Sequence, residues 1–394
     1  MSYTYAVLGA GMQGTACAYD MAKFGDAKKV KIGDIDFEKA KSSANRVNKL
    51  LEKEIVFPYK VSVDDENSVL EFLQGVNSFL SAVPYQFNIK ISEIAIKAKS
   101  SMCDLGGNTD IVKEQLKLNS YAKEANISIV PDCGLMPGMG NTLAVYGMEL
   151  LDSCEEVQIR CGGLPQNPKP PLDYKLVFSI SGLTNEYFGK AYILRDYKVT
   201  EIDTFTELEE IEFDYIGKCE AFTTTGGTST CPWTFEGKIK TYEYKTVRYP
   251  GHYSKFKTML DLGLLDVEPV IINDVKVSPR DVFHKVVAPK IDFPEDKDLV
   301  VLRTTCKGLK DNRKTEYTFE IIDFFDDKTG FTAMERTTAF PASIVAIMIA
   351  QNKIEKGVIS LEKAVSGKLF VKELLKRDIK LKETIKRDLD SKLI

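Results

Sequence analysis

Residues 9–14 read GAGMQG, directly after a short apolar strand predicted over Tyr3 to Leu8 and at the start of a helix predicted over Met12 to Phe24. In this setting the first glycine allows the tight turn from strand to helix. The second lets a pyrophosphate approach backbone N–H groups at the helix N-terminus, and the third lets helix and strand pack closely. The six letters alone also fit a turn that binds nothing, but their position favours a dinucleotide site.

An acidic residue at the end of the second strand supports the same interpretation. The apolar run Val30 to Gly33 predicts that strand, Asp34 ends it, and Asp36 follows. A carboxylate about 20 residues beyond the glycines accepts hydrogen bonds from the adenosine ribose and repels a 2′-phosphate, so we predict NAD as the cofactor. The nearby Lys39 and Lys41 leave NADP open, and an exposed acid at a strand end is the alternative role for Asp34.

Short apolar runs alternate with helical patterns as far as about residue 130, which predicts a doubly wound parallel α/β sheet. The predicted strands are Tyr3 to Leu8, Val30 to Gly33, Val56 to Val63, Ser78 to Ala82, Ser101 to Asp104 and Ser128 to Val130. Ligands of such sheets bind beyond the carboxyl ends of the strands. The predicted cofactor-binding residues are therefore Gly9, Gly11, Met12, Gln13, Gly14, Asp34, Asp36, Ala82, Val83, Pro84, Leu105, Gly106 and Gly107.

Strand-like segments predominate after Asn141 and predict a second, α+β domain. They include Tyr174 to Ile180 and the pair Leu299 to Thr305 and Thr315 to Phe325, which we expect to join across a polar turn at 307–314. Helices are predicted at Tyr253 to Leu262 and after Ser278-Pro279, where Ser can cap and Pro can begin a helix. The apolar run Ala342 to Ala350, opened by Pro341, predicts a buried helix that returns to the nucleotide domain.

The composition limits the classes of protein to consider. The 394 residues are 44% hydrophobic, enough for two domains of roughly 100 to 200 residues, and 53 Lys and Arg against 57 Asp and Glu indicate no general attraction to nucleic acid or membrane. The apolar run 339–350 is shorter than the roughly 20 residues of a membrane span, and no secretory segment follows Met1, so we expect a cytoplasmic protein. Eight cysteines without a CxxC pair and two histidines predict neither disulfides nor a metal site.

Seven further segments, in order along the chain, resemble the saccharopine dehydrogenase-like oxidoreductases, most closely their lysine 6-dehydrogenase branch. They are SAVPYQFN (81–88), CDLGGNTD (103–110), PDCGLMPGMGN (131–141), CGGLP (161–165), EAFTTTGGTSTCPWTFEGK (220–238), TVRYPGH (246–252) and GFTAMERTTAFPASIVA (330–346). The resemblance extends over nearly the whole chain. One departure is Asn352, where the pattern has glycine after the long helix.

This resemblance implies a Rossmann domain at 1–135, an inserted α+β substrate and dimerisation domain at 136–335, and C-terminal helices at 336–394 that return to the Rossmann domain. It also implies a homodimer and NAD-dependent oxidative deamination of the ε-amine of L-lysine to 2-aminoadipate 6-semialdehyde, which cyclises. The nearest alternative is NAD(P)H-dependent coupling of an amine to an aldehyde, as in saccharopine and carboxynorspermidine dehydrogenases. A nucleotide-sensing protein without turnover is a third hypothesis.

Oxidising an amine requires a group that takes its proton, because a lysine ε-ammonium has a pKa of about 10.4. His252 is one candidate, as a proton acceptor or as the residue that orients it, and a bridge between loops is its structural alternative. Asp104 and Asp132 follow the fifth and sixth strands and can hold the substrate ammonium or cap a turn. The predicted substrate-binding residues are Arg248, for a carboxylate, with Tyr249, Gly227 and Thr228.

Overall fold

The computed structural model of the chain describes residues 2–387, which divide into two units. Unit 1 holds residues 2–152, 229–231 and 335–380, and unit 2 holds residues 153–228, 232–334 and 381–387. Each unit is built around its own sheet.

Within the described residues, unit 1 contains a sheet of seven parallel strands in the order β17-β6-β5-β4-β1-β2-β3. Its elements are β1 (Tyr3–Leu8), α1 (Met12–Phe24), β2 (Ala27–Asp34), α2 (Phe37–Leu51), β3 (Val56–Lys60), α3 (Glu66–Leu73), β4 (Ser78–Ser81), a short 3₁₀ helix (Tyr85–Phe87), α4 (Asn88–Ala98), β5 (Ser101–Asp104), α5 (Thr109–Lys117), α6 (Asn119–Glu124), β6 (Ser128–Val130), α7 (Met139–Leu150), α12 (Ala333–Ala350), β17 (Gly357–Val358), α13 (Leu361–Ala364) and α14 (Gly367–Lys376). The residues of α12 from 335 onward belong to unit 1. The doubly wound parallel sheet predicted from the sequence is confirmed.

The central strands β1, β4, β5 and β6 are buried on both faces, as a parallel sheet covered by helices requires. Phe79, Met102 and Ile129 on three neighbouring strands are fully buried in one core with Ile91 of α4. The strand order reverses between β1 and β4, because β2 pairs with one edge of β1 and β4 with the other. The carboxyl ends of β1, β4 and β5 therefore form the crevice where this fold binds its ligands.

Unit 2 contains a mixed sheet of nine described strands. Its elements are β7 (Ser153–Pro165), α8 (Ile180–Glu186), β8 (Lys190–Arg195), β9 (Lys198–Asp203), β10 (Glu209–Phe213), β11 (Gly217–Thr223), α9 (Cys231–Phe235), β12 (Thr241–Arg248), α10 (His252–Asp261), β13 (Val270–Ile272), β14 (Val275–Val277), α11 (Pro279–Ile291), β15 (Asp298–Lys310), β16 (Arg313–Phe324) and β18 (Lys382–Arg387). The main path runs β10-β11-β12-β7-β15-β16-β18, with β8 on β12 and β9 on β8, while β13 and β14 form a separate hairpin. The predicted α+β architecture of the inserted region is confirmed.

The expected hairpin of the second sheet is present, with a shorter turn than predicted. Strands β15 and β16 pair from Leu299 with Phe324 down to Lys310 with Arg313. Asp311 and Asn312 alone make the turn, with φ of 52° and 57°. Two consecutive residues in this left-handed region match the twist of antiparallel strands, and Asp and Asn tolerate it, so the polar residues 307–310 continue the strand.

Two other expectations about elements are wrong. Residues Tyr174 to Ile180 form no strand, because Tyr174 is buried in an aromatic cluster and α8 begins at Ile180. Helix α12 starts at Ala333, not after Pro341, since the Asp298 carboxylate accepts the N–H groups of Ala333 and Met334 at 2.8 and 2.9 Å.

The C-terminal segment is not helical throughout. Lys382–Arg387 forms strand β18, paired antiparallel with β16 in unit 2, so the expectation that all of 336–394 is helical and returns to the first domain does not hold for these residues. All six of these residues are exposed and four of them are charged, which suits an edge strand. Residues 388–394 of that prediction lie outside the described residues.

Candidate functional site

The glycine loop of unit 1 has the geometry of a dinucleotide site. Gly9 has φ of 104°, and a Cβ atom there would lie 2.6 Å from the Ala82 carbonyl oxygen. A Cβ on Gly14 would lie 1.9 Å from the Gly9 carbonyl oxygen, so α1 packs directly on the turn. Beside Gly11 a Cβ would meet no described atom within 4 Å. The loop is thus tightly packed at Gly9 and Gly14 and open at Gly11. At Gly11 a pyrophosphate would approach the N–H groups of the first helical turn, which holds Met12 and Gln13.

Asp34 lies at the end of β2, where its carboxylate forms a hydrogen bond with the glycine loop. Its Oδ2 accepts the Ala10 N–H at 2.8 Å and its Oδ1 accepts the Asp36 N–H at 3.0 Å. Lys39 Nζ lies 3.9 Å from Oδ2. Each carboxylate oxygen retains capacity for a further hydrogen bond, which fits a ribose hydroxyl. Asp36 instead accepts the N–H groups of Glu38 and Lys39 as the N-cap of α2, so its predicted place in the cofactor site is better explained as capping.

The residues that follow β4 and β5 line the crevice edge as predicted for the fold. Ala82 donates its N–H to the Leu8 carbonyl at 2.8 Å, and Val83 and Pro84 lead into the short 3₁₀ helix. After β5 and Leu105, Gly106 and Gly107 have φ of 74° and 121°. A Cβ on Gly106 would lie 1.9 Å from Asp132 Oδ1, so glycine there lets the loop press against that carboxyl group.

The structure brings Asp104 and Asp132 together. Asp104 Oδ1 accepts the N–H groups of Asp132 at 3.0 Å and Gly106 at 2.9 Å, while its Oδ2 accepts Gln115 Nε2–H at 2.9 Å. Both carboxyl groups are buried, at 0% and 2% exposure. Burial raises the pKa of Asp104, whereas these three hydrogen bonds lower it. Asp104 is therefore fully engaged and positions Asp132.

Asp132 is the strained and incompletely bonded member of the pair. Its φ is 61°, and its Oδ1 is buried without a hydrogen-bond partner among the described residues. Its Oδ2 accepts a short hydrogen bond from Ser229 Oγ, and Ser229 itself has φ of 50°. Burial, then the neighbouring Asp104, raises the pKa of Asp132 to about 8. A strained, buried and incompletely bonded carboxyl group with such a pKa is typical of a functional site.

Ser229 belongs to the polar loop 226–230, which the sequence predicts could close over a substrate, but no individual role is predicted for it. It belongs to unit 1 with Thr230 and Cys231, although the chain on either side belongs to unit 2. Thr230 donates its hydroxyl to the Glu362 carboxylate at 2.9 Å. The run of glycine and hydroxyl residues at 226–230 marked the segment in the sequence, but no spacing rule connects it with Asp132.

A second cluster lies in unit 2 around Arg248, at the end of β12. The side chain of Arg248 is 3% exposed, and its guanidinium carbon lies 5.0 Å from the Tyr174 ring centre and 5.7 Å from that of Tyr187. Its Nε donates to Tyr187 Oη at 2.8 Å and its Nη1 to the Val247 carbonyl at 2.9 Å. Its Nη2 lies 3.7 Å from Glu186 Oε2. Stacking and bonding fix the plane of a guanidinium that can bind a carboxylate.

His252 supports this arginine indirectly. Its Nε2 lies 3.0 Å from Tyr187 Oη and its Nδ1 lies 3.3 Å from the Leu172 carbonyl oxygen. The carbonyl requires a proton on Nδ1, so Nε2 accepts from the tyrosine, which in turn accepts from Arg248. Burial, then Arg248, lowers the pKa of His252 well below 6.5. With both ring nitrogens engaged and the ring 1% exposed, the geometry favours the orienting role over that of proton acceptor.

Glu186 is the other residue that the sequence did not single out. It ends α8, and its side chain is 32% exposed while Arg248 beside it is nearly covered. Burial raises the pKa of Glu186 to about 7, and Arg248 opposes that rise. Since 62 residues separate Glu186 from Arg248, only the folded chain reveals the pair.

The remaining predicted substrate residues have structural partners. Tyr249 donates its hydroxyl to the Pro165 carbonyl at 2.9 Å. Successive side chains of an extended chain point to opposite sides, so the side chains of Tyr249 and Arg248 lie on opposite sides of the chain. Thr228 donates to the Tyr192 carbonyl at 2.7 Å, and a Cβ on Gly227 would lie 2.2 Å from the Tyr244 ring. Packing explains these three positions without a ligand, and their binding role stays a prediction.

A Rossmann-type unit with a glycine loop, together with a second unit built on a mixed sheet, defines a two-unit nucleotide-binding architecture. The chain belongs to the saccharopine dehydrogenase family. Residues 5–130 match the saccharopine dehydrogenase NADP binding domain, and residues 134–379 match the saccharopine dehydrogenase C-terminal domain. The superfamily recognised from the sequence motifs is thereby confirmed.

Curated relatives share about a fifth of their residues with the chain. A saccharopine dehydrogenase [NADP(+), L-glutamate-forming] of Pyricularia oryzae is 22% identical over 283 residues, covering 69% of this chain and 62% of the relative. The mitochondrial alpha-aminoadipic semialdehyde synthase of Mus musculus is 22% identical over 411 residues, covering 82% of this chain and 42% of the relative. The chain thus spans only part of each relative.

Solved structures show the same fold. Apo saccharopine dehydrogenase (L-Glu forming) from Saccharomyces cerevisiae superposes with a TM-score of 0.79 at 17% identity, over 98% of this chain and all of that one. The homospermidine synthase of Legionella pneumophila, solved with NAD, gives 0.64 at 11% identity over 100% of this chain and 94% of that one. Both identities are too low to carry more than the fold.

Residues 2–387 contain neither a membrane-spanning helix nor a cluster of metal-ligating side chains. No helix in that range is long and apolar enough to cross a membrane. No group of three or more His, Cys, Asp and Glu side chains there is arranged to hold a metal ion.

Proposed function

We propose that the chain catalyses the NAD-dependent oxidative deamination of L-lysine at its ε-carbon, giving 2-aminoadipate 6-semialdehyde. The nucleotide loop and membership in a dehydrogenase family support the reaction class. The position of Asp34 supports NAD, although the matching family domain is described as NADP binding. Gly9, Gly11, Gly14 and Asp34 are the residues proposed to hold the dinucleotide.

The chemistry needs a neutral amine at the moment of oxidation. NAD held by the glycine loop would supply the acceptor for a hydride from the carbon that carries nitrogen. The ε-ammonium must first lose a proton, and a base with a pKa near the working pH is best suited to take it. We assign this role to Asp132, whose pKa is raised to about 8 and whose Oδ1 is unpaired. Water then adds to the resulting imine, ammonia leaves, and the aldehyde can condense with the α-amine.

The observation that carries the proposal is the charge of the candidate groups. Unit 2 offers one guanidinium, Arg248, with one carboxyl group, Glu186, beside it. Lysine carries two amines and one carboxylate, whereas saccharopine carries three carboxylates. One guanidinium with a neighbouring carboxyl group complements an amino acid with a single carboxylate better than a tricarboxylate, because like charges in a site of low dielectric repel.

Saccharopine-type chemistry is the second candidate, favoured by the names of the matching domains and relatives. In that reaction the nucleotide oxidises a secondary amine, or in reverse reduces the imine formed from an amine and an aldehyde. The same nucleotide loop and proton acceptor would serve it, so only the substrate separates the two hypotheses.

A spectrophotometric screen distinguishes the candidates. Purified protein is incubated with NAD or NADP and with L-lysine, L-ornithine or saccharopine, and reduced nucleotide is followed by absorbance. Our proposal expects turnover with L-lysine and NAD. Turnover with saccharopine alone would replace it with the second candidate. Tight nucleotide binding without turnover of any amine would support the sensing hypothesis.

A further inference from the structure

Glu186 presents a carboxyl group that the fold leaves without a partner at bonding distance. Its nearest cation, Arg248 Nη2, lies 3.7 Å away, beyond a hydrogen bond. No hydrogen bond joins the Glu186 carboxylate to another of residues 2–387, while its backbone carbonyl accepts the Thr225 N–H at 2.9 Å. The residue also ends α8, where the partial negative charge of a helix C-terminus disfavours a carboxylate. The Glu186 carboxylate therefore contributes little to the stability of the fold.

The surroundings hold this acid and the neighbouring arginine in fixed relation. Arg248 is held by Tyr187 and by stacking over Tyr174, and Tyr187 is held by His252. The backbone of Glu186 is tied to Thr225. The Arg248 guanidinium and the Glu186 carboxylate therefore lie next to each other without a hydrogen bond between them. The exposed member is Glu186, so a ligand reaches the carboxylate most directly.

We propose that Glu186 is the residue that binds the α-ammonium group of the substrate, beside Arg248, which takes the α-carboxylate. In an α-amino acid these two groups share one carbon, so they require an acid and a base a few ångströms apart. This inference rests on the proposed function, because it concerns the unreactive end of the amino acid. It also explains how an enzyme for lysine would bind simple amines, and amino acids without an α-amine, more weakly than lysine.

Glu186 is also the group in its surroundings that changes charge near neutral pH. The titratable groups that face it are Arg248 and Tyr244 on β12, Cys161 on β7, and Tyr174 and Tyr187 next to α8. Burial raises the pKa values of the tyrosines and the cysteine, so these stay neutral at pH 7. Protonation of Glu186 below about pH 7 should weaken binding of an ammonium group, because the attraction between charges is lost.

The test compares Glu186→Gln with the unmodified protein on two substrates, L-lysine and 6-aminohexanoate, which lacks the α-amine. We expect the variant to raise KM for L-lysine by about 10- to 100-fold, since hydrogen bonds to charged groups are worth that much, with kcat changed little. KM for 6-aminohexanoate should stay within about twofold, because that substrate never uses Glu186. Glu186→Asp should recover part of the preference for L-lysine. Glu201→Gln, at an exposed acid on β9, serves as the matched control.

Other results would overturn the assignment. Equal rises in KM for both substrates would mean that Glu186 only positions Arg248. A fall in kcat at constant KM would identify Glu186 as the proton acceptor instead. If Glu186→Gln changed neither the preference for L-lysine over 6-aminohexanoate nor the dependence of KM on pH, Glu186 would not belong to the substrate site.

Calorimetry separates this inference from the proposed function. Binding of L-lysine, L-glutamate and 6-aminohexanoate to the complex with NADH is measured for the unmodified protein and for Glu186→Gln. If the protein oxidises no lysine but loses affinity for the two α-amino acids alone in the variant, the α-amino-acid site stands and the proposed reaction fails. If lysine is oxidised and the variant binds all three as before, the reaction stands and the role of Glu186 fails.

Discussion

Removing the charge of Asp34 should change the nucleotide preference in a way that the structure allows to be estimated. The carboxylate accepts the Ala10 N–H at 2.8 Å within the glycine loop, beside the place expected for the adenosine ribose. A 2′-phosphate about 4 Å away would be repelled by about 4 kcal/mol per unit charge at an effective dielectric constant near 20. Lys39, 3.9 Å from Asp34 but 54% exposed, offsets only part of this repulsion. We expect a preference for NADH over NADPH of at least about 100-fold.

Asp34→Asn is the sharpest variant for this estimate, because it keeps an acceptor for Ala10 and the ribose but removes the charge. The preference should narrow to within about tenfold, mainly through tighter NADPH binding. Dissociation constants of both reduced nucleotides, measured by fluorescence titration, provide the assay, and Lys49→Ala, at an exposed lysine in the last turn of α2, is the control. Equal affinity of the unmodified protein for the two nucleotides, or an unchanged ratio in Asp34→Asn, would refute the reasoning.

Three further predictions concern the supports of the site. His252→Asn should raise KM and leave the acidic limb of the pH profile in place, because burial keeps the imidazole neutral; loss of that limb with a fall in kcat of about 10²- to 10⁴-fold would restore His252 as the proton acceptor. Arg377→Met should lower the free energy of unfolding of unit 1 by about 3–5 kcal/mol in denaturant titrations, because it leaves the fully buried Asp20 carboxylate without its partner. A decrease as small as that expected from breaking the exposed ion pair Lys97–Glu66 would contradict this. The raised pKa of Asp132 in the folded protein makes the free energy of unfolding fall as the pH rises from about 4 to 8. Asp132→Asn should therefore make the free energy of unfolding depend less on pH in this range. The same pH dependence in the variant and the unmodified protein would argue that the pKa of Asp132 is not raised.

Local pattern was enough to predict the nucleotide unit. The glycine loop, the strand ends and the apolar periodicity of β1 to β6 lie within short stretches, so their geometry follows from neighbouring residues. Strand β17 has two residues and therefore carries no periodic signal. Pro341 was interpreted as a helix start because proline favours the first turn, whereas here it lies inside α12, which begins at Ala333.

The candidate site was predictable only in part. Asp104 and Asp132 could be found because each follows a strand of the parallel sheet. The contacts of Asp132 with Ser229 and of Arg248 with Glu186 join residues 97 and 62 positions apart, and no spacing rule reaches across such distances. His252 attracted attention as a titrating side chain, but its surroundings keep it neutral, and burial cannot be read from the identity of a residue alone.

The most direct test of the account follows the nitrogen that leaves the substrate. The purified protein is incubated with NAD and L-lysine that carries an isotopic nitrogen label at the ε-position, and the ammonia and the organic product are analysed by mass spectrometry. The account predicts that the label appears in ammonia while the α-nitrogen stays in the cyclised product. Release of the α-nitrogen, or oxidation of saccharopine in place of lysine, would contradict it.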